Sequence, residues 1–271
     1  MSTEQALVLA RGLGTRMRAA DGGAHLTPDQ QRAADAGSKV MMPIAGRPFL
    51  DYVLNSIADA GIRRVGLVVA PAHDALAHHY AEVSPPSRLE IEFVVQAEPR
   101  GTADAMLAAE AWTQHEAFLV MNGDNLYPAD VLRDLAALHE PGLPGFRRGD
   151  LITSSNIPDG RVASFALVEK DDSGYLTGII EKPAADVFAR AGADALVSMN
   201  CWRFDGRIFQ SCRAVPLSPR GELELPEAVA LAVQRGVAFR VVPAAGPVLD
   251  LSYRADAAVL ASRLENVAIR L

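Results

Sequence analysis

Small and basic residues come together directly after the first apolar run of the chain. That run covers residues 6–10, and the residues that follow it include Gly12, Gly14, Thr15, Arg16 and Arg18. Glycine lets backbone N–H groups approach an anionic ligand closely, and a guanidinium can donate two parallel hydrogen bonds to a phosphate. The pattern predicts a phosphate-binding loop after a buried strand, with a tight turn carrying solvated arginines as the alternative.

The spacing of this loop excludes two better-known phosphate-binding motifs. The dinucleotide fingerprint requires a third glycine, but Met17 stands at that position. The Walker motif ends in Gly-Lys-Ser or Gly-Lys-Thr, and neither triplet occurs in the chain. The interpretation of the loop therefore depends on the polar residues that accompany it elsewhere.

Three later groups of polar residues lie where a predicted strand ends or a predicted helix begins. They are Gly101 with Thr102, Gly123 with Asp124, and Glu181 with Lys182. The carboxyl ends of parallel strands meet at one edge of a sheet, so we expect these groups to form one site. A carboxylate suits a hard divalent cation, and a lysine suits a phosphate as a compact point charge.

Strands and helices alternate through the first half of the chain. Apolar runs predict strands at residues 6–10, 65–70, 89–95 and 117–121. Helical spacing of apolar residues predicts helices at residues 49–60, 72–81 and 129–139, and another that ends near residue 112. This alternation predicts an α/β fold with a doubly wound, Rossmann-like mixed sheet in three layers.

A polar insertion occupies residues 19–37. Its residues 27–30 have the form of a capping box, with Pro28 at the first helical position. We therefore predict a short helix that runs to about Ala36 and is ended by Gly37.

The pattern changes after residue 140. Residues 141–160 are rich in loop-forming residues, and alternating runs at 162–169 and 175–180 around Gly174 predict a β-hairpin. Later apolar patterns predict strands at residues 196–204 and 237–242, and helices at about 226–235 and 253–265.

Size and composition limit the class of protein. The 271 residues, 49% of them hydrophobic, suit one α/β domain at 1–271, with halves at 1–140 and 141–271. A net charge of −7 provides no basic field for nucleic acid. No membrane-spanning run or signal peptide is apparent, which favours a cytoplasmic protein with free thiols at Cys201 and Cys212.

In their joint order, these motifs resemble those of the sugar-nucleotide pyrophosphorylase family, the nucleotidyltransferases that act on sugar 1-phosphates. Residues 11–16 are similar to the family's opening Gly-Gly-x-Gly-Thr-Arg motif, and residues 123–124 to its Gly-Asp element. Residues 96–103 resemble its base-reading stretch, and residues 181–183 its Glu-Lys-Pro motif. The resemblance covers nearly the whole chain.

The resemblance implies a reaction and a set of catalytic residues. A sugar 1-phosphate would attack the α-phosphorus of a nucleoside triphosphate and release pyrophosphate, with Mg²⁺ as the cofactor. Arg16 and Lys39 would offset the charge of the triphosphate, and Lys182 would align the attacking phosphate. Asp124 and Asp250 would hold the metal.

The resemblance also implies binding residues in both halves. Those expected to bind the nucleotide are Ala10, Arg11, Gly12, Gly14, Thr15, Gln96, Gly101, Thr102 and Gly123. Those expected to bind the sugar phosphate, in a sugar-binding lobe of the C-terminal half, are Ala166, Glu181, Lys182, Asn200 and Glu224. The expected partners are the two substrates, without nucleic acid or membrane, and relatives suggest a homo-oligomer.

Departures from the family pattern leave alternatives open. Arg11 replaces the usual glycine, Ala166 adds a methyl near the sugar, and Ser252 follows Asp250 where the family often has glycine. One alternative is a catalytically silent nucleotide-sugar sensor or regulatory subunit on the same fold. Another is a glycosyltransferase, although its usual Asp-x-Asp reads Asp-Asn-Leu from Asp124 onward. The sequence does not decide which nucleobase or which sugar is used. The insertion at residues 19–37 would form a flap over the nucleotide.

Overall fold

The computed structural model describes residues 3–12, 14–18 and 26–271, and a mixed sheet runs through its centre. Its strands are β1 (Gln5–Leu9), β2 (Pro43–Ile44), β3 (Arg47–Pro48), β4 (Arg64–Val69), β5 (Glu90–Val95), β6 (Phe118–Asn122), β7 (Asn125–Leu126), β8 (Gly142–Arg147), β9 (Ala166–Lys170), β10 (Leu176–Ile180), β11 (Leu196–Ser198), β12 (Trp202–Phe204), β13 (Arg240–Ala244) and β14 (Leu249–Asp250).

The helices lie between these strands. They are α1 (Thr15–Arg18), α2 (Pro28–Ala36), α3 (Phe49–Asp59), α4 (Asp74–His78), α5 (Thr102–Ala108), α6 (Ala129–Ala136), α7 (Arg148–Ser154), α8 (Asp159–Val162), α9 (Ala185–Ala191), α10 (Ile208–Ala214), α11 (Leu225–Gln234) and α12 (Asp256–Leu264). A 3-10 turn at Lys39–Met41 and a π-helical segment at His79–Val83 also occur.

The central sheet of the described residues has ten strands, in the order β10-β9-β11-β8-β12-β6-β1-β4-β5 with β13 paired to β8. β1 pairs in parallel with β4 and β6, and β4 pairs in parallel with β5. β12 joins β6 in antiparallel orientation, so the second half of the chain extends the same sheet. The predicted Rossmann-like mixed sheet is confirmed.

The sheet buries an apolar core on each face, because successive side chains of a strand point to opposite sides. In β1, Val8 belongs to the core that includes α3, α6 and α12, whereas Leu7 belongs to the core that includes α5, α10 and α11. Both faces of β1 are therefore covered, which explains why its sequence is continuously apolar rather than alternating.

The capping box predicted for α2 is present. The N–H of Gln30 donates to Thr27 Oγ1 at 3.3 Å, and the N–H of Thr27 donates to Gln30 Oε1 at 3.0 Å. Gly37 ends the helix with φ at +71°. Residues 19–25 of the predicted insertion lie outside the described residues.

The prediction that residues 141–160 are mainly loop is wrong. They contain α7 and β8, and β8 pairs with β11, β12 and β13. Two glycines and Pro144 suggested a loop, because proline cannot donate to a strand ladder. Pro144 fits here because β8 pairs with β12 at Gly142 and with β11 at Phe146, and Pro144 lies between these two paired positions.

Several predicted bounds also change. The strand predicted at residues 196–204 is divided into β11 and β12 by a bend at Asn200, whose φ is +58°. The hairpin begins at Ala166, because residues 159–162 form α8. The helix predicted to end near residue 112 ends at Ala108. β13 and α12 begin at Arg240 and Asp256, three residues later than predicted.

Two properties of the whole chain follow from these elements. Within the described residues, no helix combines the length and apolar character needed to cross a membrane. Cys201 and Cys212 are free thiols, as predicted, and both are buried. Burial raises the pKa of each thiol above its ordinary value, so both are protonated at neutral pH.

Gly142 provides a test of how β8 packs. A Cβ at this position would lie 2.6 Å from Leu138 Cδ1 and 2.7 Å from Arg240 O. We expect Gly142→Ala to lower the free energy of unfolding by roughly 1–3 kcal/mol, as overpacking does, when measured by urea denaturation. Gly206→Ala adds a Cβ that meets no atom of the described residues within 4 Å, and it should not lower the free energy of unfolding. Equal losses in both variants would contradict the packing described for β8.

Candidate active site

The carboxyl ends of the parallel strands open onto a cavity of 520 Å³. Leu9 and Ala10 line it from the end of β1, Gln96 from the residue after β5, and Asn122 from the end of β6. In open α/β sheets this edge is where ligands bind. The structure therefore brings the predicted loop, Gln96 and Asp124 to one cavity.

The glycine loop packs directly on the end of α2. Gly14 has φ at +60°, and a Cβ there would lie 2.8 Å from Gly37 O. Gly12 lines the cavity, as do Ala36, Gly37 and Ser38 at the end of the insertion. The described part of the insertion is therefore a wall of the cavity. Leu13 lies outside the described residues.

Arg11 turns toward the cavity. Its Nη2 donates to Ala97 O at 3.0 Å, on the segment after β5. Its Nε and Nη1 are buried and have no hydrogen-bond partner among the described residues. Such unpartnered donors are costly unless a ligand satisfies them. The residue that replaces the expected glycine thus adds a cation to the cavity.

The two arginines of α1 lie in different places. Arg18 lines the cavity, and its Nη2 donates to Ala36 O at 3.3 Å. Arg16 does not line it, and its guanidinium lies 5.8 Å from the ring centroid of Tyr253. Arg18, which the sequence analysis did not select, is therefore the guanidinium of α1 that faces the cavity.

Arg254 connects α1 to α2 from the far end of the chain. This buried side chain donates from Nε to Met17 O at 2.7 Å and from Nη1 to Gln31 Oε1 at 3.0 Å. Its Nη2 donates to Asp35 Oδ1 at 2.9 Å. Hydrogen bonds from Gln31 and Arg254 lower the pKa of Asp35. Arg254 therefore holds together two helices that line or support the cavity.

Asp124 lies in the turn directly before β7, and Asp250 lies on β14, which pairs with β7. Asp250 of β14 is paired with Asn125 of β7, and Asn125 Nδ2 donates to Asp250 Oδ1 at 2.9 Å. The N–H of Leu251 donates to Asp124 O at 2.9 Å. Asp124 also forms an ion pair with Lys39, and both residues line the cavity. The structure thus brings together three of the predicted site residues.

Asp250 is buried, with 3% of its surface exposed. Ser252 Oγ donates to its Oδ1 at 3.1 Å, and Arg161 Nη2 lies 3.2 Å from its Oδ2, which accepts no hydrogen bond from the part of the chain that the structure describes. Burial, together with the charge of Asp124, raises the pKa of Asp250 to about 6. Among the described residues, no cluster of three or more histidine, cysteine or acidic side chains is arranged to hold a metal.

Gly101 brings the segment after β5 against the segment before α11. Its φ is +112°, and a Cβ there would lie 2.4 Å from Leu223 O. The N–H of Leu223 donates to Arg100 O at 2.8 Å, and the N–H of Leu225 donates to Thr102 Oγ1 at 2.9 Å. Only glycine fits at this point, because both the φ and the separation exclude a side chain.

A second cavity of 140 Å³ adjoins the first and shares lining residues with it. The shared residues are Leu9, Thr102, Asn122 and Glu222. The second cavity is also lined by four residues predicted to bind a sugar phosphate, Glu181, Lys182, Asn200 and Glu224. Lys182 and Asn200 both have positive φ, at +44° and +58°, and such strained residues cluster at ligand sites.

Arg220 is a second cation of this smaller cavity that the sequence analysis missed. Its Nη2 lies 2.9 Å from Glu224 Oε1, and Lys182 Nζ lies 3.9 Å from Glu224 Oε2. Burial acts to raise the pKa of Glu224, but hydrogen bonding to Arg220 holds this pKa below its ordinary value. Burial raises the pKa of Glu181. The available signal was an arginine beside Gly221, four residues before Glu224.

The joined cavities of this acidic chain are lined by nearly equal numbers of cations and carboxylates. Their lining includes the cations Arg11, Arg18, Lys39, Lys182 and Arg220. It includes the carboxylates Asp124, Glu181, Glu222 and Glu224. The net charge of −7 is therefore not shared by this groove, and each of the two cavities has at least two cations in its lining.

Some predicted site residues lie outside the lining of both cavities. Gly123 is one, and its N–H donates to Leu9 O at 3.0 Å. Ala166 is buried at the start of β9, opposite Ser198 of β11. The others are Gly14, Thr15, Arg16 and Asp250. In this structure these six residues do not form part of the surface of either cavity.

Comparison with known proteins matches the chain over most of its length. A family model described as Nucleotidyl transferase matches residues 5–245. The UTP–glucose-1-phosphate uridylyltransferase of Haloferax volcanii is 27% identical over 262 residues, which cover 97% of this chain and 97% of that protein. The glucose-1-phosphate thymidylyltransferase of Streptomyces griseus is 30% identical over 234 residues, which cover 86% of this chain but 58% of that protein.

Two solved structures share the fold. UDP-glucose pyrophosphorylase complexed with UDP-glucose has a TM-score of 0.72 at 16% identity, over 96% of this chain and 98% of the other. The inositol-1-phosphate CTP transferase from T. maritima has a TM-score of 0.71 at 19% identity, over 99% of each chain. At these identities the likeness shows the fold alone.

Gly101→Ala tests the close approach to Leu223. We expect a loss of about 3 kcal/mol or more in the free energy of unfolding, because left-handed strain and a backbone collision add. Urea denaturation measures this loss. Gly46→Ala is the control, since Gly46 also has positive φ, at +84°, but no atom of the described residues lies within 4 Å of its Cβ position. That control should lose only about 1–2 kcal/mol, and equal losses would argue against the contact.

Proposed function

The chain belongs to the nucleotidyl transferase family, and on this premise we propose that it transfers a nucleotidyl group from a nucleoside triphosphate to a sugar 1-phosphate. The products are an NDP-sugar and pyrophosphate. The observation that carries the proposal is the pair of joined cavities, each lined by cations, which meet at Thr102, Asn122 and Glu222. The names of relatives that act on glucose 1-phosphate support it.

In the proposed reaction, an oxygen of the sugar phosphate attacks the α-phosphorus of the triphosphate. The bond from this phosphorus to the oxygen that bridges to the β-phosphate breaks, and pyrophosphate leaves with the electron pair. The attacking phosphate is ionised at neutral pH, so the step requires no general base. Positioning two anions and neutralising their charge therefore account for the rate.

The chain's own residues supply that positioning in two groups. The proposed triphosphate-side residues are Arg11, Arg18 and Lys39, which line the larger cavity, and the proposed sugar-phosphate-side residues are Lys182 and Arg220, which line the smaller one. Arg16 lies outside both linings, and its contact with the triphosphate stays a prediction. Residues 1–140 thus provide the nucleotide-binding half, and residues 141–271 the sugar-phosphate-binding half. Glu181, Asn200 and Glu224 provide polar groups for sugar hydroxyls in the smaller cavity.

Asp124 and Asp250 would hold Mg²⁺ in this proposal. Their oxygens are the hard donors that this ion prefers, and Asp250 Oδ2, which forms an ion pair with Arg161, accepts no hydrogen bond from the described residues. The ion would supply further neutralisation of phosphate charge. Lys39 orients Asp124 through their ion pair, and Asn125 and Ser252 orient Asp250 through hydrogen bonds.

Pyrophosphate release tests this function. We expect release in the presence of magnesium for at least one pairing of a common nucleoside triphosphate with a sugar 1-phosphate. Asp124→Asn should lower the rate by about 10²–10³, and chelation with EDTA should abolish it. Asp134→Asn removes the same charge from an exposed position on α6 and should retain the wild-type rate.

The possible results separate the proposed enzyme from its alternatives. An undiminished rate in Asp124→Asn would contradict the role given to that carboxylate. If no pairing of a triphosphate with a sugar 1-phosphate releases pyrophosphate but calorimetry detects binding of an NDP-sugar, the protein is a sensor rather than a transferase. If neither pyrophosphate release nor NDP-sugar binding is detected, the similarity to nucleotidyltransferases is one of fold alone.

Arg18 is the cation of α1 whose contribution is most directly testable. We expect Arg18→Gln to raise the dissociation constant for the preferred triphosphate by about three- to tenfold, as for a solvent-screened charge contact. The matching monophosphate should be affected less, because it lacks the distal phosphates. Arg32→Gln is the control, since Arg32 is exposed on α2 and paired with Asp29. Equal effects on both nucleotides would place Arg18 away from the distal phosphates.

A further inference from the structure

Arg161 is a buried cation that lies beside Asp250 and lines neither of the joined cavities. Only 11% of its side chain is exposed, and its Nη2 lies 3.2 Å from Asp250 Oδ2. The same Nη2 donates to Asn156 O at 3.2 Å. The guanidinium therefore neutralises an acidic side chain of the protein, whereas the cations of the cavities face space for a ligand.

Asp256 holds the other end of this guanidinium. Arg161 Nη1 donates to both oxygens of Asp256, at 2.9 Å each. Asp256 is itself buried, and its Oδ2 also accepts from the backbone N–H groups of Ser252 and Tyr253. The ring centroid of Tyr253 lies 5.4 Å from the guanidinium carbon. Contacts on several sides therefore keep the charge of Arg161 beside Asp250.

Asn156 attaches the backbone of Asp250 to the same part of the chain. Asn156 Nδ2 donates to Asp250 O at 2.7 Å, and Asn156 Oδ1 accepts from the Asp250 N–H at 2.8 Å. Asn156 and Arg161 lie only five positions apart, between the end of α7 and α8. This one segment therefore contacts both the main chain and the carboxylate of Asp250.

Both carboxylates proposed to hold Mg²⁺ thus carry a cationic partner from the chain itself. Asp124 pairs with Lys39, and Asp250 pairs with Arg161. Lys39 lines the larger cavity, so a bound anion can draw its ammonium group away from Asp124. Arg161 does not line that cavity and is fixed by Asp256, so it stays beside Asp250. A fixed positive charge opposes a second cation at the same carboxylate.

We propose that Arg161 competes with a divalent metal ion for Asp250, and that this competition weakens the binding of the ion to the protein without nucleotide. The inference rests on the metal site of the proposed function and adds a residue that sets its affinity. Arg161 is a positioning residue, since it acts on the ion only through Asp250. Asp124 lines the larger cavity and supplies the main attraction for the ion before a nucleotide binds.

The first test measures Mn²⁺ binding to the protein without nucleotide, from the loss of the electron paramagnetic resonance signal of the free ion. Mn²⁺ prefers the same oxygen ligands as Mg²⁺. Arg161→Met removes the charge and keeps a long side chain. We expect its dissociation constant to be lower than that of the wild type by about tenfold or more, as for the coupling of close charge pairs. Unchanged affinity, or no binding to either protein, overturns the proposal.

Arg161→Gln is a second variant, for the case in which Arg161→Met does not fold. Its amide is neutral but can still donate a hydrogen bond to Asp256, so less of the buried contact is lost. The dissociation constant for Mn²⁺ should again fall by about tenfold or more. A folded Arg161→Gln protein with wild-type affinity overturns the proposal.

Arg148→Met is the matched control. The side chain of Arg148 is 16% exposed, and its Nη2 lies 2.9 Å from Asp159 Oδ1, on a carboxylate with no proposed role at the metal. This variant loses the same charge as Arg161→Met and should bind Mn²⁺ with wild-type affinity. An equal gain in both variants would assign the effect to the net charge of the protein and overturn the role of Arg161.

The second test asks whether Arg161 acts through Asp250. Asp250→Asn is measured in the wild-type background and in the Arg161→Gln background. Competition for one carboxylate predicts that Asp250→Asn raises the dissociation constant for Mn²⁺ by a larger factor once Arg161 is absent, by about tenfold. Equal factors in the two backgrounds would show that the two charges act independently, and they would overturn the proposal.

The inference and the proposed function fail in different ways, because Mn²⁺ binding is measured without substrates. Tighter Mn²⁺ binding in the Arg161 variants, together with no pyrophosphate release by the wild type, supports the competition and contradicts the reaction. Pyrophosphate release by the wild type, together with unchanged Mn²⁺ affinity in the variants, supports the reaction and overturns the competition.

Discussion

Two backbones approach each other at Gly101 and Leu223, and the spacing of the whole site depends on this approach. The two residues are far apart in sequence, yet a Cβ on Gly101 would lie 2.4 Å from Leu223 O. Gln96 and Thr102 stand on one side of the contact, and Glu224 stands on the other. A reaction between two bound anions depends on holding them in register, because a displacement of about 1 Å can cost roughly 10²-fold in rate. Backbone contact provides a more rigid spacing than contacts between long side chains.

Charge is the second constraint on the site. The chain carries 33 acidic and 26 basic residues, so anions bind only where the fold gathers cations together. Two of its three lysines, Lys39 and Lys182, line the joined cavities, and each lies beside a carboxylate. These pairings keep the lysines in place without a ligand. Arg11 is different, because it lines the larger cavity and, among the described residues, its guanidinium donates only to Ala97 O and has no carboxylate partner.

The insertion extends this arrangement beyond the parallel strands. Gly14 packs on Gly37, and Arg18 spans from α1 to the carbonyl end of α2, where a cation is favourable. Arg254 holds the same two helices from the segment before α12. The two helices beside the larger cavity, α1 and α2, are thus held together from the end of the chain by hydrogen bonds to one buried guanidinium.

The amino-acid sequence by itself determined the local elements and the order of the motifs. The capping box of α2, the buried strand β1 and the glycine ends of helices depend on residues a few positions apart, whose energies act within one turn or strand. Tertiary structure alone decided that β8 is a strand despite Pro144, that Arg18 rather than Arg16 lines the cavity, and that Arg220 joins Lys182. It also decided that Asp250 pairs with Arg161. In each case the deciding contact is made with a residue elsewhere in the fold, or it depends on the rotation of a whole helix about its axis. Only the packing of the complete backbone determines which residues meet.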